Sequence, residues 1–278
     1  MPVHLREKMI VTIVTPTFNA REYLRECIES ARANQAEQID VEHVIVDGGS
    51  VDGTVELAES YGLRVLKGKD RGIFDAINKG SFDSKGELLG FLGADDVMLT
   101  GGLKKVVDTY RKTGRRWIVG GIRWIDEHGN SLGDLAAPPY WMLPRMHASM
   151  PWNPIMHMAT YFSREFFDAL KGFNIDYKDA GDFEMFARAL SQAHYARVAA
   201  PIACFRRTGL NNSAVNAERS EQQVYLIRRA FGPKSEAERV LWGYLLRLWF
   251  NMRNPQWSSR KLAAAARVRL GLQQKTYF

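Results

Sequence analysis

Cysteine is scarce in this chain of 278 residues, which contains only Cys27 and Cys204. Two cysteines without framework spacing do not form the disulfide scaffold of a small secreted protein, so we expect both to be buried free thiols. Residues 1–8 are polar, and no later apolar segment is long enough to span a bilayer. The sequence therefore predicts a cytoplasmic protein without a secretory signal.

The chain also lacks two common nucleotide-binding signatures. No Gly-x-Gly-x-x-Gly follows the first predicted strand, and no Walker-type Gly-Lys-Ser/Thr occurs. A dinucleotide-binding or P-loop site is therefore not expected. Hydrophobic residues make up 46% of the chain, which is ample for the core of one large domain, alone or with an appendage.

The first hundred residues alternate between apolar, β-branched runs and amphipathic segments. Residues 9–15 are an uninterrupted β-branched and apolar run, the pattern of a strand buried on both faces, and residues 41–46 predict a second buried strand. Shorter runs at 63–66 and 89–92 predict two further strands, and helical patterns lie between successive runs. This order predicts an α/β fold with a doubly wound, mostly parallel sheet and flanking helices.

Carboxylates follow two of the predicted strands. Asp47 ends the second strand, and Asp95 and Asp96 follow the fourth strand after Gly93. The carboxyl ends of parallel strands form the edge at which open α/β sheets bind ligands. Adjacent carboxylates there suit Mg²⁺ or Mn²⁺ carrying a diphosphate. The alternative interpretation is a pair of solvated turns, with Asp47 as a turn-forming residue.

Four segments at these strand ends resemble the inverting glycosyltransferases of family 2, which have the GT-A fold. They are Thr15-Pro16-Thr17-Phe18-Asn19, the run from Val46 to Thr54, the run from Asp70 to Gly80, and Gly93-Ala94-Asp95-Asp96. The resemblance implies a GT-A catalytic domain over residues 1–215, with a nucleotide-sugar-binding half at 9–100 and an acceptor-binding half at 101–215. It leaves residues 216–278 as a basic helical C-terminal appendage.

On the donor side, the resemblance assigns Asp47 to recognition of a uracil-type base and Asp95 to the ribose hydroxyls. The triplet at 94–96 is Ala-Asp-Asp instead of Asp-x-Asp, which leaves Asp96 as the expected ligand for Mn²⁺ or Mg²⁺. Further expected nucleotide or sugar contacts are Pro16, Thr17, Phe18, Arg71, Asp75 and Asn78. Asp75 and Asn78 are three positions apart on one helix face, and solvated helix residues are the alternative for them.

On the acceptor side, residues 172–188 resemble the family motif in which an acidic residue opens a helix. Asp182 is the expected catalytic base, with Asp179 as a competing candidate and Glu184 as a supporting one. One base near the acceptor oxygen fits a single displacement with inversion, whereas retention requires a nucleophile as well. The alternative for Asp182 is a helix N-cap.

Two basic residues complete the expected site. His157 lies where relatives carry a histidine before a strand, and it would bind phosphate or acceptor unless it is a structural histidine. Arg207 belongs to residues 206–213, which resemble a loop that closes over the diphosphate. This chain lacks the Gly-Gly-x-Ser pattern that relatives prefer there.

Positive charge is concentrated at the C-terminus. Residues 228–278 contain eleven Lys/Arg and two Glu, a net charge of +9, whereas the whole chain carries +7. Apolar residues interleave with arginines in 234–278, which suits a helix on an anionic membrane surface. The alternative is a helical pair packed on the catalytic domain or on a second subunit of a homo-oligomer. No nucleic-acid partner is expected, because the motifs offer it no role.

The resemblance and the basic tail together imply a metal-dependent inverting transferase that uses a UDP-sugar. Its expected acceptor is a glycan or lipid-linked oligosaccharide of bacterial polysaccharide biosynthesis, at the cytoplasmic face of the membrane. Two alternatives stand beside this prediction. One is a sugar nucleotidyltransferase, which should show a Gly-rich signature bearing Lys or Arg after its first strand. The other is a non-catalytic basic module that binds membrane or nucleic acid.

Overall fold

A single mixed sheet of nine strands forms the centre of the computed structural model, which describes residues 8–208 and 216–255. The strand order is β3-β2-β1-β4-β8-β6-β9-β5, and β7 pairs with the last residues of β6, Ile122–Ile125. The strands are β1 (Met9–Thr17), β2 (Ile39–Asp47), β3 (Arg64–Lys67), β4 (Leu88–Phe91), β5 (Val97–Met98), β6 (Trp117–Ile125), β7 (Ser131–Leu135), β8 (Thr160–Ser163) and β9 (Ala196–Arg206).

Helices cover both faces of this sheet. They are α1 (Arg21–Arg32), α2 (Thr54–Ser60), α3 (Ile73–Phe82), α4 (Gly102–Thr113), α5 (Pro144–Ala148), α6 (Arg164–Ala169), α7 (Gly181–Leu190), α8 (Ala217–Phe231) and α9 (Glu236–Arg253), with a 3₁₀ turn at His157–Ala159. Consecutive residues Ile13 and Val14 of β1 are both buried, although successive strand side chains point to opposite faces. The uninterrupted apolar run at 9–15 is therefore explained by burial on two faces.

The predicted α/β fold with flanking helices is confirmed, and the strands of its first half are all parallel. β1 pairs in parallel with β2 and β4, and β2 pairs in parallel with β3. The second half is mixed, because β8 lies antiparallel between β4 and β6 while β9 runs parallel to β6. The pairing of β4 with β8 makes one continuous sheet across the two predicted halves.

Close approaches in the core require small residues at particular positions. A Cβ at Gly80 of α3 would lie 2.6 Å from Val14 Cγ1, so only glycine lets α3 reach β1 at this distance. In the second half, the Trp117 ring stacks on Phe162 with 5.5 Å between centroids and an angle of 4°. Cys27 and Cys204 are both buried free thiols, as predicted.

Two histidines lie in the interior of the protein. His43 Nε2 is 2.9 Å from Thr15 Oγ1, and His147 Nε2 is 3.1 Å from the Phe183 carbonyl oxygen. Nδ1 of each ring is buried without a hydrogen-bond partner in the described part of the chain. Burial lowers the pKa of both histidines to about 4, so both rings are neutral at pH 7.

The last two described helices pack on the remainder of the fold. Phe250 of α9 contacts Trp152 with 4.9 Å between ring centroids, and Arg197 lies over the Trp249 ring at 5.4 Å. The Ala136 N–H donates to Asn254 Oδ1 at 2.8 Å, which fixes the end of α9. The second basic stretch of the tail, 260–270, lies outside the described residues. Within residues 8–208 and 216–255, no helix combines the length and apolar character needed to cross a bilayer.

Candidate active site

Asp47 organises the turn at the end of β2. Its carboxylate accepts hydrogen bonds from Thr17 Oγ1 (2.8 Å), Ser50 Oγ (2.6 Å), Gly49 N–H (2.9 Å) and Ser50 N–H (2.8 Å). Burial opposes ionisation, but these hydrogen bonds outweigh it and hold the pKa of Asp47 below its usual value. A carboxylate has about four acceptor positions. A nucleotide base would therefore have to replace one of the two hydroxyl donors to bond Asp47 directly.

The loops after β1, β2 and β3 meet beside this turn. A Cβ at Gly48 would lie 3.0 Å from Asp70 Oδ2 and 3.7 Å from Phe18 Cδ2. Phe18 is 66% exposed, whereas Thr17 is buried and Pro16 is half-buried in β1. This edge of the sheet thus presents an open aromatic face next to a rigid turn, which suits stacking of a planar base.

Arg71, Asp75 and Asn78 have distinct environments. Asp75 accepts hydrogen bonds from the Arg71 N–H (3.0 Å) and Arg71 Nη2 (3.1 Å), and Lys79 Nζ lies 3.1 Å away. These contacts outweigh burial and lower the pKa of Asp75 to about 2. Asn78 donates to the Phe173 carbonyl oxygen and accepts from the Phe173 N–H, both at 2.8 Å. Its amide therefore ties α3 to the segment that precedes α7.

Asp95 and Asp96 converge above Gly93. A Cβ at Gly93 would lie 2.7 Å from Asp96 Oδ2 and 3.0 Å from Asp95 Oδ1, so a side chain there would collide with both carboxylates. Asp96 is buried, with 2% exposed, and its Oδ1 accepts from the Arg206 N–H at 3.1 Å. Burial, with the Asp95 charge added, raises the pKa of Asp96 well above its usual value. The pair is therefore short of positive charge.

Arg206, the last residue of β9, contacts this pair; the predicted diphosphate loop begins at this residue, but the sequence indicated Arg207 as its site residue. Its guanidinium is 1% exposed and donates to the Asp95 carbonyl oxygen (2.8 Å) and to Glu26 Oε2 (2.5 Å). The same group lies over the Tyr23 ring at 4.9 Å. No local pattern marks these contacts, because the partners are far apart in sequence. The predicted Arg207 instead lies over the Trp124 ring at 5.9 Å, and residues 209–213 of its loop lie outside the described residues.

His157 connects the aspartate pair electrostatically with Asp182. Its Nε2 is 3.9 Å from Asp96 Oδ2. Burial lowers the pKa of His157, and the charges of Asp182 and Asp95 oppose that shift. The structure thus brings Asp95, Asp96, His157 and Asp182 together across the two halves.

Asp182 is held at the start of α7 by two hydrogen bonds. Its Oδ2 accepts from Asn153 Nδ2 at 2.9 Å, and its Oδ1 accepts from the Phe183 N–H at 2.7 Å. Burial raises the pKa of Asp182, against the opposing charge of His157 and these hydrogen bonds. Asn153 is a second site residue that the motifs did not reveal. It lies 29 positions before its partner, in a segment without regular structure.

The neighbouring acidic residues are engaged elsewhere. The buried Asp179 carboxylate is paired with Arg219 of α8, and Glu184 Oε1 is 2.8 Å from Arg188 Nε within α7. Gln223 Oε1 of α8 accepts hydrogen bonds from the N–H groups of Asp179 (2.9 Å) and Ala180 (3.0 Å). These contacts leave Asp182 as the carboxylate of this segment that faces His157.

The aspartate pair fits a divalent cation that arrives with a diphosphate. Residues 8–208 and 216–255 contain no group of three or more His, Cys, Asp or Glu that could hold a metal ion. Mg²⁺ is commonly bound through one or two carboxylates, with substrate phosphates and water supplying the other ligands. Asp96, with Asp95 converging beside it, provides such a partial ligand set with excess negative charge.

Comparison with known proteins identifies the family profile that matches the chain. Residues 12–170, more than half of the sequence, match the family described as glycosyl transferase family 2. An uncharacterized glycosyltransferase of Rickettsia felis is 35% identical over 129 residues, which are 44% of this chain and 21% of that protein. The chondroitin synthase of Escherichia coli is 28% identical over 190 residues, 66% of this chain and 27% of that protein. The chain therefore spans about a quarter or less of the length of these relatives.

Solved structures confirm the predicted GT-A fold. The S. aureus TarS 1–349 structure in complex with UDP-GlcNAc has a TM-score of 0.65 at 17% identity, covering 84% of this chain and 70% of that one. The mannosyltransferase PcManGT from Pyrobaculum calidifontis, in complex with GDP-Man and Mn²⁺, has a TM-score of 0.59 at 17% identity, covering 94% and 76%. At this identity the likeness establishes the fold alone.

Proposed function

Because this chain belongs to glycosyl transferase family 2, we propose that it transfers a sugar from a nucleotide diphosphate-sugar to an acceptor hydroxyl with inversion. The observation that carries the proposal is the arrangement of Asp95, Asp96 and Asp182 around His157. In this arrangement the Asp182 carboxylate is available as a base, and the carboxylates of Asp95 and Asp96 are available to the donor. Residues 1–215 would form the catalytic domain, with its donor-binding half at 9–100 and its acceptor-binding half at 101–215.

The proposed donor is a UDP-sugar. Phe18 would stack on the uracil ring, flanked by Pro16 and Thr17, and Asp47 would accept the N3–H after the Thr17 or Ser50 hydroxyl turns away. The UDP-GlcNAc complex of TarS supports uridine, whereas the GDP-Man complex of PcManGT makes guanosine the alternative to test.

Asp182 would act as the general base. The acceptor hydroxyl gives its proton to a carboxylate oxygen of Asp182. The acceptor oxygen then forms the bond to the anomeric carbon. The bond from that carbon to the diphosphate oxygen breaks, and its electron pair leaves with the diphosphate. A pKa raised by burial makes Asp182 a stronger base than an exposed aspartate. A single displacement of this kind inverts the anomeric centre.

Positive charge would stabilise the leaving diphosphate. Mn²⁺ or Mg²⁺, held through Asp96 with Asp95 beside it, would supply Lewis-acid stabilisation of the developing charge. Arg71, 70% exposed on its side chain, lies at the same edge and would contact the phosphates while Asp75 orients it. His157 would hold the acceptor or phosphate between the two groups of carboxylates.

The proposed acceptor is a glycan or a lipid-linked oligosaccharide of bacterial polysaccharide biosynthesis, used at the cytoplasmic face of the membrane. The similarity to a chondroitin synthase supports a polysaccharide setting. The family match favours this function over the nucleotidyltransferase and the non-catalytic module considered from the sequence.

A donor screen with a matched pair of variants tests the proposal. Release of UDP or GDP from a panel of activated sugars is measured with and without Mn²⁺, first for the unaltered protein. Asp182→Asn should retain nucleotide binding but lose transfer by about a hundredfold or more, since a general base contributes 10²–10⁴-fold. Asp176→Asn, at an exposed position of the same segment, is the control and should keep its activity. Equal turnover of both variants would refute the assignment of Asp182.

A further inference from the structure

Helix α9 is apolar on both of its faces. The inner face buries Gly243, Leu246 and Phe250 against the catalytic domain. The outer face consists of six exposed apolar side chains at positions three and four apart, which therefore lie on one side of the helix. They are Val240 (57% exposed), Leu241 (52%), Tyr244 (65%), Leu245 (40%), Leu248 (44%) and Met252 (65%).

A helix on the surface of a globular domain normally presents polar side chains to water. On the outer face of α9, the polar residues that accompany the six apolar ones are Arg247 and Asn251. The acidic residues of α9, Glu236 and Glu238, both lie in its first turn. Contiguous exposed apolar surface of this kind marks an interaction site.

The charge of the surrounding sequence identifies the chemistry of the partner. From Arg239 to the C-terminus the chain contains eight Lys/Arg and no Asp or Glu. A second copy of the chain would bring two such segments together, and their like charges would repel. A partner with an anionic surface and an apolar interior complements the positive charge of this segment and the apolar side chains of the outer face.

We propose that the outer face of α9 docks on an anionic lipid bilayer. The six apolar side chains enter the boundary between headgroups and acyl chains, and Arg247 on the same face contacts lipid phosphates. Tyr244, the aromatic residue among these six, lies at headgroup depth, where tyrosine is enriched. The helix lies along the membrane, in keeping with the finding that no helix within the described residues can span it.

This docking would place the bilayer on the acceptor side of the site. Arg145 of α5 lies 3.5 Å from Glu238 of α9. On its other side, the His147 ring of α5 lies 4.3 Å from the Phe183 ring, next to Asp182. One short helix therefore separates the membrane-facing helix from the helix of the proposed base. The docking proposal does not depend on the proposed chemistry.

Vesicle co-sedimentation of the full chain tests the proposal. The unaltered protein should bind vesicles of phosphatidylcholine mixed with phosphatidylglycerol about tenfold more than vesicles of phosphatidylcholine alone, and added salt should weaken this binding. Tyr244→Ser combined with Leu248→Ser should reduce binding to the anionic vesicles by about tenfold or more. Both positions are exposed, so circular dichroism should show an unchanged fold.

A matched pair on α8 is the control. Tyr225→Ser combined with Leu226→Ser removes the same residue types at similarly exposed positions and should leave vesicle binding unchanged. Absence of vesicle binding by the unaltered protein, or equal loss for both pairs, would overturn the assignment to α9. Light scattering, which measures the oligomeric state, distinguishes the membrane from a second copy of the chain as the partner of this face. A dimer that Tyr244→Ser/Leu248→Ser converts to monomers would show that a second copy covers this face.

Discussion

Arg206 links the aspartate pair to the rest of the domain through a single buried guanidinium. It bonds the backbone of Asp95 from below, and its own N–H holds the carboxylate of Asp96. The same guanidinium reaches Glu26 of α1 and the carbonyl oxygen of Glu127 after β6. At the scale of one residue, the position of the carboxylates proposed to bind a metal therefore depends on an arginine that would not itself touch the proposed donor.

Arg206→Lys should lower both stability and transfer. A lysine keeps the charge but cannot reach all of these acceptors, so we expect a loss of about 1.5–3 kcal/mol in the free energy of unfolding, the range for hydrogen bonds to charged groups. Displacement of Asp95 and Asp96 by about an ångström should reduce kcat by about a hundredfold. Urea unfolding and steady-state kinetics measure the two effects. Arg123→Lys, which alters an exposed pair with Asp134, is the control and should change stability little.

Local motifs located some site residues and missed others for a physical reason. Asp47, Asp96 and Asp182 follow strand ends or open a helix, so their placement is encoded by neighbouring residues. Arg206 and Asn153 act through partners 110 and 29 positions away, and such contacts leave no periodicity or spacing in the sequence. The roles assigned to Asp47, Asp95, Asp96 and Asp182 remain predictions for the variants to decide.

Helix α7 begins without a side-chain cap of its own and receives one from α8. Ala180 occupies its N-cap position and has no side-chain acceptor, so within the first turn only the Phe183 N–H bonds a side chain of α7, Asp182 Oδ1, among the contacts described above. Gln223 of α8 supplies the acceptor for the N–H groups of Asp179 and Ala180. An element that the sequence assigned to an appendage therefore fixes the start of the helix that carries the proposed base.

Gln223→Ala should loosen the start of α7. Two backbone N–H groups lose their acceptor, which should cost about 1–2 kcal/mol in the free energy of unfolding, by analogy with loss of a helix cap. Hydrogen exchange at residues 179–183 should accelerate, and transfer should decrease because Asp182 is less well positioned. Gln222→Ala, at the exposed neighbouring position, is the control. Unchanged exchange in Gln223→Ala would contradict the capping role.

Stability of the whole molecule should depend on pH through two buried histidines. His43 and His147 have pKa values near 4 in the folded protein and about 6.5 when unfolded. Below pH 6.5 the unfolded chain therefore binds more protons at these positions, and their contribution to stability is lost as the pH falls through 4. The raised pKa values of Asp96 and Asp182 act in the opposite direction, so the test requires variants.

His147→Gln and His43→Gln should each flatten the decrease of stability between pH 6.5 and 4. A shift of about 2.5 pKa units corresponds to about 3 kcal/mol per histidine, as an order of magnitude. Glutamine can replace the Nε2 hydrogen bond but does not titrate in this range. Urea unfolding at a series of pH values measures the difference. An unchanged slope in both variants would contradict the neutral, buried state of these rings.

The sequence determined the first half of the fold more sharply than the second. The run at 9–15 is β-branched and apolar because a parallel strand between two helical layers is buried on both faces. The mixed half depends on β8 and β9, whose pairing partners are set by tertiary contacts. Pairing direction is not written in local periodicity, so the antiparallel insertion of β8 between β4 and β6 could not be predicted, although β6 and β9 again pair in parallel.

The pairing of β4 with β8 has a mechanical consequence for turnover. Leu88, Leu89 and Gly90 pair directly with Ser163, Phe162 and Tyr161. A hinge between the proposed donor and acceptor sides would have to break this ladder, together with the hydrogen bonds between Asn78 and Phe173. Under the proposed function, we therefore expect the nucleotide-sugar to enter and the nucleotide to leave through rearrangement of loops. The sheet should keep its shape, and its two halves should not move apart about a hinge.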